Sequence, residues 1–241
     1  MTISDTPGPK PSGFQRIIGV LISPDETFAS IARQPDFLAP LLLILILAVV
    51  GGIIFAQRVD FAAPAREAME QRGNMSEAQM ESALKISAAI GKIFSYGAPV
   101  VSVIVLLIVS AVLLLAFRMM GGEGTFKQAF AATVYAWMPL TILNIILLVI
   151  IMAKTGITAL DLPTLVMSNP AFLVTMKEHP FLFALLASID IFTIWTLVLF
   201  IFGFSHLSKF SKSKSAAVVI TVWVIWTCIK LIGPTIRALK G

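Results

Sequence analysis

The sequence predicts an all-α integral membrane protein: a bundle of five transmembrane helices with an N-terminal interfacial amphipathic helix and a helical extracytoplasmic loop. Two observations predict it. Of 241 residues, 58% are hydrophobic and only 13% are charged, against about 25% charged in an ordinary soluble domain. Five apolar stretches also reach the roughly 20 helical residues that a hydrocarbon core requires. They cover approximately residues 38–56, 99–117, 129–152, 180–204 and 216–236. Residues 1–12, rich in Pro and Gly, read as a disordered N-terminus, and 13–241 as one membrane domain.

Before the first span the chain carries two short helical patterns. Phe14, Ile17, Ile18 and Leu21 recur at the spacing of one helical face. Then Ser23-Pro24-Asp25-Glu26 reads as a capping box with Pro at the first helical position, followed by Phe28, Ile31 and Ala32. The face of Phe14, Ile18, Leu21 and Phe28 either lies in the membrane interface or packs on the protein's own surface; the pattern allows both. No secretory signal is expected, because the first long apolar run begins only near Phe37 and no cleavage pattern follows.

The loop from Gln57 to Gly97 is expected to hold a small helical hairpin. Ser76-Glu77-Ala78-Gln79 is a capping box, and Gly73-Asn74 supplies a turn. Between spans two and three, the glycines of GGEGTF, beginning with Gly121 and Gly122, read as a tight turn. They lack the Lys-Ser/Thr of a phosphate cradle, so no nucleotide is expected. In span three Pro139 should kink the helix. The loop 153–179 holds two prolines flanking a short apolar piece expected to dip into the interface. The fourth connection, SHLSKFSKSKS, has three Lys and no acid, whereas the first long loop balances five basic against five acidic residues. That bias predicts a cytoplasmic N-terminus and an external C-terminus.

The function classes narrow by elimination. Net charge is +5 without any long basic block, which points to lipid headgroups and away from nucleic acid. The single Cys228 allows no intrachain disulfide. His179 and His206 fall on opposite sides of the predicted bundle, and Met69, Met75 and Met80 do not share a helical face. No metal, no cofactor and no catalytic set is expected, and an enzyme is not.

One residue resists this reading. Asp190 stands inside the fourth apolar stretch, where a carboxylate costs roughly 2.5–3.5 kcal/mol on insertion scales. By helical rise, Asn144 and Lys230 stand at comparable depths. An Asp190–Lys230 pair with Asn144 nearby is therefore expected. It would serve either as interhelical packing glue or as a polar site for a proton, ion, lipid or peptide; the remaining alternative is an Asp190 simply protonated and hydrogen-bonded to backbone.

Three segments taken in order, SPDETFASIARQPDFLAPL, GGEGTFKQAFAATVYAWMPL and DIFTIWTLVLFIFGFSHLSKFSKSKS, resemble the Yip1-domain family of five-span membrane proteins, and its bacterial branch most closely. Asp36 and Pro40 keep the spacing of an element before the first span, with different residues between them. Tyr135 to Pro139 corresponds to a Tyr-rich element ending in Pro, and Gly121, Gly122 and Trp195 fall within the matching segments. The resemblance implies a cytosolic N-terminus and a bacterial cytoplasmic membrane. Eukaryotic relatives associate with one another and with small Rab-type GTPases; the altered middle of the Asp-to-Pro element does not carry that partner over. Together these readings predict a non-enzymatic adaptor or scaffold that binds another membrane protein or itself. The alternative is a small transporter, channel or lipid-handling protein built around Asp190.

Overall fold

The computed structural model describes residues 12–72 and 76–238. The expected disordered N-terminus, apart from Ser12, and the Gly73-Asn74 turn lie outside the described residues. Eleven α-helices and one short 3-10 helix appear, with no strand among the described residues. Five helical segments are long and apolar enough to cross a membrane. The protein is an all-α, multi-pass membrane bundle.

Two short helices open the chain, α1 (Gly13–Ile22) and α2 (Pro24–Arg33). Ser12 caps α1 through a capping box with Gln15. Ser23 does not cap α2 with its side chain as expected. Its N–H closes α1 on Gly19 instead, and its carbonyl accepts the Thr27 hydroxyl. The single residue between the helices must end one and begin the other, and that holds its backbone away from capping geometry.

The first span is α3 (Leu38–Arg58), followed by α4 (Ala63–Arg72) and α5 (Glu77–Tyr96). The Ser76–Gln79 capping box forms as expected. The two helices α4 and α5 contact each other, as a hairpin would, but α5 is a 20-residue helix that also packs along α3. The approach is close enough that a Cβ on Gly52 would sit 2.1 Å from the Ser95 carbonyl oxygen. Gly97 then turns the chain into the second span, α6 (Ala98–Met119).

A Schellman motif closes α6. Gly122 N–H donates to Phe117 O and Gly121 N–H to Arg118 O, with Gly121 at φ +84°. Thr125 and Gln128 then form a capping box at the start of the third span. This span is two helices, α7 (Phe126–Ala136) and α8 (Met138–Ala153), joined at Trp137. Pro139, lacking an N–H, accounts for the interruption.

The fourth apolar stretch corrects the expectation of one helix over 180–204. It divides into α9 (Pro180–Ala187) and α10 (Ile191–Ser208), broken at Ser188, Ile189 and Asp190. Only α10 is long enough to cross; at 18 residues it measures about 27 Å by helical rise. The composition of 180–204 is apolar on average despite Asp190, so summed hydropathy alone passes over the break. The last span is α11 (Lys212–Ala238).

The main core lies among α2, α6, α7 and α10. Phe28, Phe117, Tyr135 and Phe204 are among its most deeply buried side chains, with Phe117 stacked on Phe204 at 5.0 Å between ring centroids. Thus Phe28, placed by its sequence spacing on an interfacial face, belongs to the bundle interior. It lies over Gly203, where an added Cβ would meet its ring at 3.1 Å.

Candidate functional site

Two polar nodes lie at opposite ends of the bundle. At the α1–α2 end, Arg16 is 1% exposed. Its guanidinium donates from Nη1 to Gln34 O at 2.9 Å and from Nη2 to Ser30 Oγ at 3.0 Å. It thereby crosses from α1 to both the body and the end of α2, and burying a charge this way requires such partners. Its Nε and the Tyr135 hydroxyl are both buried without a hydrogen-bond partner. Gly13 on α1 allows close approach to α3, since an added Cβ would lie 2.4 Å from Ala39 Cβ.

Further contacts lock the α1–α2 cap to the spans. Asp25 accepts from Lys212 Nζ at 2.8 Å and lies 2.7 Å from His206 Nε2. The hydrogen bonds from Lys212 and His206 hold the Asp25 carboxyl below its ordinary pKa. On the other side, Gln128 Nε2 donates to Ala32 O at 2.7 Å. One side chain thus completes the α7 capping box and ties α7 to α2.

The cap's apolar face divides in two. Ile17 and Leu21 pack on the core, whereas Phe14 is 68%, Ile18 43% and Ile22 75% exposed. These three stand at i, i+4 and i+8, one line along α1.

At the far end, Asp190 is 5% exposed and is the N-cap of α10. Its Oδ1 accepts from Phe192 N at 2.8 Å and Thr193 N at 3.1 Å, and its Oδ2 accepts from the Ser168 hydroxyl. Ser168 O in turn accepts from Ile191 N at 3.1 Å. The loop between α8 and α9 therefore reaches down and satisfies the break in the helix. Irregular backbone at such a place is tolerated only where protein buries it or a cavity receives it.

The expected Asp190–Lys230 pair is not formed: Lys230 is exposed and joins no ion pair among the described residues. By residue count, Lys230 stands as far after the start of α11 as Asp190 stands before the end of α10. The facing differs, because α11 turns Ser215, Val219 and Thr227 inward and Lys230 outward. Asn144 is half-buried and lines a separate cavity of about 320 Å³ between α3, α5, α6 and α8, with Gly51, Gly52 and Ser95. The three residues expected to cluster are thus in three different places.

Comparison with known families bears on the whole of this arrangement. The model of the Yip1 domain matches residues 18–232, nearly the entire chain. The chain belongs to the Yip1 domain family. Neither the curated proteins nor the solved structures give a match to it.

Within this Yip1 domain, the motif residues sit mainly around the α1–α2 end. Asp36 Oδ1 accepts from Leu38 N at 3.1 Å and so starts α3, and Pro40 is buried in its first turn. Tyr135 is fully buried, Pro139 is buried at the α7–α8 junction, and Trp195 packs partly against the same core. Gly121 and Gly122 end α6, where an added Cβ on Gly122 would meet Phe117 O and Ser208 Cβ, each at 2.9 Å. Among the described residues no group of three His, Cys, Asp or Glu could hold a metal.

Sequence reasoning missed Arg16, Ser168 and the Asp25–His206–Lys212 contact. For Arg16 a signal existed: it falls one helical turn before Val20, among the apolar positions of α1. For Ser168 none did, since its role depends on a loop folding back across the break.

Proposed function

We propose that this Yip1-domain protein is a non-enzymatic scaffold of the bacterial cytoplasmic membrane, with the α1–α2 end facing the cytoplasm and the C-terminus outside. Arg118, Lys127, Lys209, Lys212 and Lys214 gather near the α1–α2 end, which supports that orientation. The observation that carries the scaffold reading is the bare line of Phe14, Ile18 and Ile22 on a cap that is otherwise locked to the bundle. A rigid helix presenting anchors at i, i+4 and i+8 suits an apolar groove on another membrane protein or on a second copy. Against transport, both oxygens of Asp190 are already engaged by the protein's own donors.

A photo-crosslinking residue at Ile18, activated in native membranes, tests the reading. The expected result is one discrete protein adduct, either a membrane protein or a second copy, that disappears when Phe14 and Ile22 are changed to Ser. Adducts to lipid alone would overturn it and leave the line as a membrane-surface contact.

A further inference from the structure

The far end of the bundle holds a cavity of about 430 Å³, within the roughly 300–1,000 Å³ typical of small-molecule sites. Two segments distant in sequence form it, α4 and the chain around the 3-10 helix Pro170–Leu173. Its walls are mixed, with Met167, Phe172, Val174 and Phe183 beside the polar Thr164 and Thr175. It also holds one half-buried acid and one exposed base, Glu67 on α4 and Lys177 before α9. These two enter no ion pair, with each other or elsewhere, among the described residues. The neighbouring charges are occupied: Arg66 pairs with Asp60 at 3.0 Å, and Glu178 accepts from the Thr175 hydroxyl at 2.7 Å. Beside the cavity, Leu173, Phe181 and Leu182 are exposed, so the apolar surface continues beyond it.

We infer that this cavity binds a zwitterionic phospholipid headgroup, that of phosphatidylethanolamine, from the leaflet at the α4–α9 end. The lipid phosphate meets the Lys177 ammonium, and the primary ammonium of the headgroup donates to the Glu67 carboxylate. Opposite charges held apart in one cavity match a ligand carrying both signs, and an anionic lipid would meet Glu67 unfavourably. A free soluble zwitterion fits less well, because Leu173, Phe181 and Leu182 would remain uncovered, whereas acyl chains lie naturally along them. The site is distinct from the proposed scaffold surface and does not depend on it.

The test uses the full chain in detergent, titrated with dioctanoyl phosphatidylethanolamine, dioctanoyl phosphatidylglycerol and free phosphoethanolamine, with binding read by native mass spectrometry. The phosphatidylethanolamine should bind about tenfold more tightly than either alternative, as expected for one charge-assisted contact. Glu67→Gln should remove the preference over phosphatidylglycerol, and Lys177→Gln should weaken both lipids. Neither variant should change the melting temperature without lipid, since neither side chain has a hydrogen-bond or ion-pair partner among the described residues. Equal binding of the two lipids by the unaltered protein would overturn the inference. So would binding of free phosphoethanolamine as tight as that of the lipid, or lipid preferences unmoved by both substitutions.

Discussion

Asp190 accepts a hydrogen bond from the hydroxyl of Ser168, twenty-two residues earlier in the chain, while its other oxygen caps α10. One carboxylate thus holds a helix N-terminus and a loop that crosses over it. Its acceptor oxygens also lie at the positive end of the α10 dipole, where acceptors are favoured. Its place in an apolar stretch is explained by capping.

Capping makes the substitutions at this position separable. Asp190→Asn keeps an acceptor for the Phe192 and Thr193 amides and a polar group for Ser168, so it should cost less than about 1 kcal/mol. Asp190→Ala should cost about 2–3 kcal/mol, combining a lost cap with an unsatisfied buried hydroxyl. Lys230→Met should fall within about 0.5 kcal/mol of the unaltered protein, as for a surface change. Unfolding in mixed detergent micelles reads all three. A Lys230→Met loss equal to that of Asp190→Ala would restore the rejected ion pair.

Adjacent glycines on α3 should respond oppositely to alanine. A Cβ on Gly51 meets Leu148 at an ordinary 3.4 Å, whereas one on Gly52 would lie 2.1 Å from Ser95 O. Gly51→Ala should be neutral, or stabilising by up to about 1 kcal/mol through reduced unfolded-state entropy. Gly52→Ala should destabilise by about 1–3 kcal/mol and loosen α5 from α3. Hydrogen exchange over 77–96 would show the difference, with faster exchange in the second variant only.

Arg16→Met should release the cap. It leaves Gln34 O and Ser30 Oγ without their buried donor, a loss of about 2–3 kcal/mol. Protease cleavage between α2 and α3 should become fast while the five spans remain protected. Unchanged cleavage would mean that Phe28 and Ile31 alone hold the cap in place.

The Asp25 contact should fail in acid. Its folded pKa lies below the unfolded value, because Lys212 and His206 hydrogen-bond the carboxylate. A depressed carboxylate contributes stability that is fully present above the unfolded pKa, about 3.9, and is lost as pH falls through the folded value. Asp25 is about half exposed, at 49%, so solvent screening keeps the effect modest. Distance measurements between spin labels on α2 and α11 should stay constant from pH 8 to pH 5 and broaden below about pH 4. In Asp25→Asn they should be insensitive to pH over that range.

Much of the architecture is legible in the sequence because it depends on quantities that add along the chain. Apolar length found the five spans, though not the break in the fourth, and local backbone chemistry placed the starts of α2, through Pro24, and of α5, through the Ser76 capping box. The Gly121–Gly122 turn and the Pro139 interruption were legible for a similar reason, since each is imposed by the residue's own backbone. The break at Asp190 was only partly hidden. Asp followed by Ile-Phe-Thr is an N-cap pattern, but the apolar run on both sides reads as one span when only hydropathy is summed.

The candidate sites were less legible because a site depends on which way a helix faces. Helical rise gave Asp190 and Lys230 the same height, yet the rotation of α11 sends Lys230 outward. Likewise Phe14 and Phe28 read as members of one apolar face, and packing against Gly203 sends only Phe28 into the core.

By itself, the sequence determined that this chain is a five-span, all-α membrane protein, because insertion energy sums over local composition and turn geometry is fixed by single residues. Only the tertiary structure decided that Arg16 joins α1 to α2, that Asp190 answers to Ser168, and that Glu67 and Lys177 share a cavity. Those contacts join segments whose relative rotation and approach are set by packing, and no local pattern encodes them.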